Sequence, residues 1–353
     1  MHYKPDWEGA EARWTALWRG EPLDRPCLVL TGPATSDVPC PPPPADPRDR
    51  YLDPDWVVRH ARFCLAHTWW GGDAVPTYGC LGGWSIAHGA RCGFAPNTIW
   101  HDPIPLDTSR PPAFRFSPAA EDVQAVVRVQ RALAELAGED GFMVGQHIAL
   151  PANDLIAAIY GTETVLMAML DHGDWLTQAI DQLARAYVEQ HRFIDRGQVG
   201  ATHRFWYGVN WHSFWGPDPF LVTQSDISCM LSPEQFARFV LPDLARTGGE
   251  YGRVWYHLDG PGALHHLPTL LRQEWISVIQ WVPGAGNDAS ALRWLDVLRR
   301  IQAAGKIATM WVRADEVEPL LRNGLDPRRL VLHASVPSPQ AGQALLDAAR
   351  RRI

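Results

Sequence analysis

His257 and Asp259 are the residues best placed to do chemistry. They stand two apart in the run Tyr256-His257-Leu258-Asp259-Gly260, so on a strand their side chains share one face. A histidine beside a carboxylate can hold a divalent metal, or act as a base with its orienting group. A structural hydrogen-bonded pair is the other reading of the same two residues. His333, in the apolar run Arg329–Val336, would complete a metal set of His257, Asp259 and His333. Three protein ligands with an open position suit a catalytic zinc, and two imidazoles with one carboxylate also suit iron(II) or manganese. A lone histidine on an apolar strand is equally the pattern of a satisfied core residue. Asp226, in the predicted strand Thr223–Ser228, joins His257 and Asp259 as an expected catalytic residue.

A second cluster is aromatic. Phe205–Gly216 holds six aromatic residues and His212. Asn210 and His212 interrupt the alternation that a core strand would show. The segment is therefore expected to cover the mouth of a pocket, with Trp211, His212 and Tyr207 lining it. With Trp255, Trp281 and Trp311 near strand ends it would form an aromatic cage, suited to methylated ammonium groups or to sugar rings. A hydrophobic lid or a homodimer interface is the alternative. In the strand Ser277–Val282 one of Gln280 and Trp281 faces inward. Gln280 is the choice, since a polar side chain in an apolar strand needs a reason. His147, after the strand at Met143–Gly145, is a further candidate for the pocket wall.

Four strand–helix units must position these residues. Strands are predicted at Arg253–Leu258, Ser277–Val282, Lys306–Val312 and Arg329–Val336, each followed by a helix. Such a series demands parallel strands. The earlier half adds strands at Cys27–Thr31, Asp73–Thr77, Phe142–Ile148 and Thr223–Ser228, and helices from Ser117-Pro118, at Asp154–Leu170 and at Asp174–Arg196. Eight parallel strands with helices between them are what a closed (β/α)8 TIM barrel needs. The expected fold is one α/β barrel domain over residues 1–353. It would carry an N-terminal extension, 1–25, and an inserted aromatic hairpin or loop, 203–216. No Gly-x-Gly-x-x-Gly follows a strand, which disfavours a doubly wound open sheet. Ser232-Pro-Glu-Gln235 is a capping box.

Composition narrows the function classes. The chain has 353 residues, 46% hydrophobic and 20% charged, too apolar for a disordered chain. Its 32 basic and 39 acidic residues give a net charge of -7, which offers nucleic acid or an anionic membrane no attraction. No apolar run is long enough to span a membrane, and the N-terminal stretch lacks the apolar core of a signal peptide. The six cysteines form no Cys-x-x-Cys pair, so a cytoplasmic setting is expected.

Five stretches together resemble the uroporphyrinogen decarboxylase superfamily. Arg19-Gly-Glu-Pro-Leu-Asp-Arg-Pro26 resembles the segment that precedes its first strand. Ser225-Asp226-Ile227, then Leu231-Ser-Pro-Glu-Gln-Phe236 and Val240-Leu-Pro242, resemble its middle segment. Tyr256-His257-Leu258-Asp259-Gly260 stands where the corrinoid-dependent methyltransferase branch has His-x-Cys-Gly. The resemblance spans about residues 10 to 350 and implies a (β/α)8 barrel. Val29–Ser36 lacks the arginines that grip porphyrinogen carboxylates, so this is not a true uroporphyrinogen decarboxylase. The thiolate zinc ligands of the methyltransferase branch are replaced by Asp259, with His333 as the late candidate. What the resemblance implies is a metal-dependent methyltransferase-like enzyme for a small methylated amine or ether, with zinc as the first choice of metal. The methyl group would pass to or from a corrinoid on a separate protein, since Asp-x-His-x-x-Gly is absent here. A corrinoid-independent lyase or hydrolase with an Asp/His acid–base site is the alternative, and a non-catalytic small-molecule binding protein a further one. If the aromatic segment binds substrate, Trp211→Ala weakens binding of a cationic or ring substrate by about 1–3 kcal/mol. It then costs less stability than the about 3–5 kcal/mol of a core tryptophan. Equilibrium unfolding and substrate titration of the variant check both; an unfolded variant, or unchanged binding, makes the segment packing.

Overall fold

The four strand–helix units after residue 250 form as read. The computed structural model describes residues 1–79, 90–145, 150–194, 208–209 and 213–351. Its strands are β1 (Cys27–Pro33), β2 (Thr68–Gly72), β3 (Thr77–Tyr78), β4 (Arg91–Ala95), β5 (Thr98–Asp102), β6 (Met143–Val144), β7 (Gly208–Val209), β8 (Phe214–Trp215), β9 (Leu221–Gln224), β10 (Val254–Asp259), β11 (Ile276–Val282), β12 (Ile307–Trp311) and β13 (Leu330–Ser335). Helices at Leu267–Leu271, Leu295–Ala303, Val317–Arg322 and Pro339–Arg350 follow β10 to β13 in turn. The last starts where Ser338 accepts the Ala341 N–H at 3.2 Å, with Pro339 at the first helical position.

One sheet runs in the order β2-β1-β13-β12-β11-β10-β9. Its strands are parallel from β9 to β1, and β2 pairs antiparallel with β1 at the edge. A separate parallel pair joins β3 to β6. Among the described residues no strand pairing joins that pair to the sheet, so the structure is a mixed α/β fold of barrel-like build, with a seven-stranded sheet and a separate two-stranded one. Alternation of side chains separates two faces. Leu28, Tyr256, Ile279, Trp281, Met310 and Leu332 belong to the cluster shared with the late helices. Val29, Trp255, Val278, Ile307 and Val331 cluster instead with Ala74, Val75 and Met143 beside β3 and β6. Strand segments and the N-terminal helix Trp7–Arg19 therefore cover the inner face.

Several readings of the first half need correction. The helix expected at Asp154–Leu170 is two, Ala152–Tyr160 and Thr162–Asp171, parted at Gly161, whose φ of 86° suits glycine. Strand β9 stops at Gln224, so Asp226 opens a 3-10 turn, Asp226–Met230, and is not on a strand. The N-terminal extension is a helix, Trp7–Arg19, that buries Trp7, Trp14 and Leu17 in the inner cluster. Phe214 and Trp215 pack there too, against Trp14 and Trp7, with ring centroids 4.7 and 5.5 Å apart. Phe214 also meets Trp255, so this end of the aromatic segment is core packing and not a mouth cover. β7 and β8 pair antiparallel. Tyr207, Trp211, His212 and His147 lie outside the described residues. No helix among the described residues is long and apolar enough to cross a membrane.

Asp73 ties the N-terminal helix to β1. It is buried and accepts from the Leu28 N–H at 2.8 Å, from Arg13 Nη1 at 3.1 Å and from the buried Arg25 guanidinium. Trp14 Nε1 donates to its carbonyl at 2.8 Å. Removing one partner of a buried ion pair strands the other charge. Asp73→Ala is therefore expected to lower the unfolding free energy by about 3–5 kcal/mol in urea titration. A loss under about 1 kcal/mol, the size of an exposed pair, would contradict this account.

Candidate metal centre

Parallel register brings three ligands to one place. His257 of β10 lies beside Gln224, the last residue of β9. Two residues further along each chain come Asp259 and Asp226. One ligand atom from each of Asp226, His257 and Asp259 lies within 4.8 Å of the others. All three sit at the C-terminal ends of parallel strands, where barrel enzymes build their sites. Asp226 and Asp259 are exposed and His257 is half-buried.

The surroundings hold each ligand in a defined pose. Gln280 on β11 is the register partner of His257, and its Oε1 accepts from the ring Nδ1 at 2.5 Å. The hydrogen then sits on Nδ1, and Nε2 keeps its lone pair. A second partner that fixes the tautomer in this way is the usual companion of a metal-ligating histidine. Asp226 is placed by Asp154, a fully buried carboxyl that accepts the Asp226 N–H at 2.9 and 3.0 Å and the Ile227 N–H at 3.3 Å. Gln224 Nε2 donates to Asp226 Oδ2 at 2.8 Å and to Asp154 Oδ2 at 3.3 Å. The loop after β11 closes on Asp259: a Cβ on Gly284, whose φ is 77°, would lie 3.4 Å from Asp259 Oδ1.

Burial pushes the Asp154 carboxyl up to about 7, with the Asp226 charge adding to it. Asp226 is also raised, by burial first; His257 opposes the shift and Asp259 adds to it. Two carboxylates so close repel, and a cation between them relieves that repulsion. One imidazole and two carboxylates form a hard N/O donor set that fits zinc, iron(II) or manganese. The Cys229 thiol instead donates to the Asp226 carbonyl at 3.2 Å, and burial raises its pKa.

The expected third ligand, His333, is not in this cluster. It stands on β13, three strands from β10, fully buried, with Nε2 3.1 Å from Thr309 Oγ1 and the Trp311 ring centroid 5.4 Å away. Burial lowers its pKa to about 3, which keeps the imidazole neutral. Asp226 takes the place that the sequence assigned to His333. The tryptophan cage does not assemble either. Trp281 turns to the helix layer, 5.0 Å from Trp294, and Trp255 lies in the buried floor, while Trp311 alone of the three is exposed. Gln280 faces inward as chosen and meets His257. His266 is buried and stacks on Phe236 at 4.1 Å. Asp154 was missed; its signal was an acid in the first turn of the apolar run Ala152–Tyr160.

The fold and the donor cluster define a mixed α/β protein with a His/Asp donor set at the ends of its parallel strands. Among solved structures it is similar to a methyltransferase from Methanosarcina mazei, with a TM-score of 0.60 and 15% identity, over 97% of this chain and 98% of that one. At this identity the likeness speaks for the fold. It does not carry the uroporphyrinogen decarboxylase assignment, which rests on the sequence segments. No protein-family model matches the chain, and no curated protein does.

Asp243 steadies the helix that carries Asp154. Its buried carboxylate accepts the Asn153 N–H at 3.1 Å and Nδ2 at 2.9 Å. Burial pushes its pKa up to about 6 against an ordinary 3.8, with the Asn153 bonds opposing. The folded chain thus binds a proton that the unfolded chain releases between those values. This contribution is complete below about pH 4 and is lost as the pH rises through about 6. Asp243→Asn is expected to flatten the fall in unfolding free energy between pH 4 and 6, by up to about 3 kcal/mol. Urea titrations at stepped pH check it; an unchanged slope contradicts it.

Proposed function

We propose that this chain is a metal-dependent methyltransferase-like enzyme that acts on a small methylated amine or ether. The convergence of Asp226, His257 and Asp259 at the strand ends carries the reading. The likeness to a methyltransferase fold supports it. In this reading the eight parallel strands close as a (β/α)8 barrel around the centre.

His257 Nε2 and the Asp226 and Asp259 carboxylates would hold the divalent ion, zinc first. When bound, the ion supplies Lewis acidity toward the heteroatom that carries or receives the methyl group. Gln280 keeps the His257 ring in one tautomer and one orientation. Asp154 keeps the Asp226 main chain fixed while its side chain stays available. The exposed Trp311 ring, at the end of β12, offers an apolar face to a methylated group. Because the sequence lacks Asp-x-His-x-x-Gly, the corrinoid would arrive on a partner protein.

The raised carboxyls of Asp154 and Asp226 favour one second reading, a metal-free lyase or hydrolase with a protonated acid near neutral pH. Metal analysis separates the two. Purified protein is expected to hold one divalent ion per chain by plasma mass spectrometry, and His257→Ala or Asp259→Asn is expected to abolish retention while the fold persists. A His333→Ala variant that folds is expected to keep the ion. Protein that takes up no metal under any loading sinks the methyltransferase reading and leaves the acid–base one.

A further inference from the structure

The opposite end of the sheet carries a second concavity. A hollow of about 490 Å³ opens at the N-terminal ends of β10 to β13, beside the end of the helix Trp7–Arg19. Five cationic side chains line it, Arg19, Arg253, Arg272, Lys306 and Arg329, against one carboxylate, Glu274. In a chain of net charge -7 this is a concentrated positive field.

The pairing of these cations matters more than their number. Arg253 has Asp218 at 3.0 Å and Arg19 has Glu21 at 3.8 Å. The other three hold neutral oxygens. Lys306 Nζ donates to the carbonyls of Gln273 and Ile276 at 2.6 and 2.7 Å. Arg329 donates to the Gly305 carbonyl, and Arg272 to Thr269 Oγ1 at 3.1 Å. None of the three has a carboxylate in ion-pair contact among the described residues. Lys306 is buried, and burial lowers its pKa. The Glu274 charge nearby opposes that shift without contact, and the ammonium, in direct contact with carbonyls only, keeps charge that a ligand can neutralise. Arg272 sits at a helix end, where it also offsets the helix dipole. Lys306 precedes β12 and has no such duty.

We propose that this hollow binds a small polyanion carrying phosphate groups, at a site distinct from the metal centre. The volume is that of a small-molecule pocket. Guanidinium groups match phosphate oxygens with two parallel hydrogen bonds, and a lysine supplies a point charge. The six residues of β10 separate the two sites, by roughly 20 Å at the usual strand rise.

Calorimetric titration of the full chain with tripolyphosphate, pyrophosphate, orthophosphate and citrate tests this. One saturable site is expected, tightest for tripolyphosphate and weakened by added salt. Affinity is expected to fall about tenfold for each guanidinium removed in Arg272→Gln and Arg329→Gln. Asp259→Asn, at the other end, is expected to bind as wild type. Should the Arg329 variant not fold, Arg272→Gln alone decides, since its side chain is exposed. No saturable binding, binding indifferent to both arginine variants, or binding lost in Asp259→Asn overturns the site. Citrate bound as tightly as tripolyphosphate overturns the phosphate assignment.

Discussion

The buried carboxyl of Asp154 is the constraint on which the candidate centre depends. Strand β9 ends at Gln224, and the next residues leave the sheet with main-chain N–H groups that no strand satisfies. Asp154 accepts two of them, from Asp226 and Ile227. A buried N–H without a partner costs free energy comparable to a lost hydrogen bond. The carboxyl thus decides where the chain turns, and the turn decides where the Asp226 side chain stands. Its own helix is held in turn by Asp243 through Asn153. Three acids from three elements act in series, and the outermost reaches the centre.

On the sheet itself, alternation does the positioning. The inner face begins with the apolar floor of Trp255, Val278, Ile307 and Val331. Two residues further on, the same face turns polar: His257, Gln280, Thr309 and His333. His257 bonds Gln280, and Thr309 bonds His333. The polar row shifts outward across the sheet, because Thr309 is level with Gln280 on one side and with Val331 on the other. His333 therefore lies in the row without joining the ligands. Its burial keeps it neutral, as a structural neighbour of Trp311.

The late half of the fold was legible because local signals and tertiary demand agree there. Each strand from β10 to β13 is a short apolar run, and each following helix has a start signal or an apolar stripe, as at Ser338. His257 and Asp259 were legible because both belong to one strand, where spacing fixes relative direction. Asp226 was recognised as a residue but given a strand it does not occupy. His333 was misplaced because sequence spacing says nothing of distance across three strands. Asp154 escaped because its partners are main-chain groups, and no residue type marks them. The aromatic segment misled for a related reason. Phe214 and Trp215 look like a lid until the helix Trp7–Arg19 supplies the tryptophans that they pack against.

That helix also bears on how the chain reaches its fold during synthesis. Trp7, Trp14 and Leu17 are made well before Trp215, Trp255 and Val331, which belong to the apolar cluster that buries them. This helix waits for strands made much later. Contacts of such large sequence separation close slowly, because loop entropy is lost before they form. Until β13 is complete, the helix has only its early partners, Asp73 and the apolar residues near β1, and part of its apolar face lacks cover of the kind that chaperones otherwise supply. The complete cover of the inner face therefore needs the chain through residue 331.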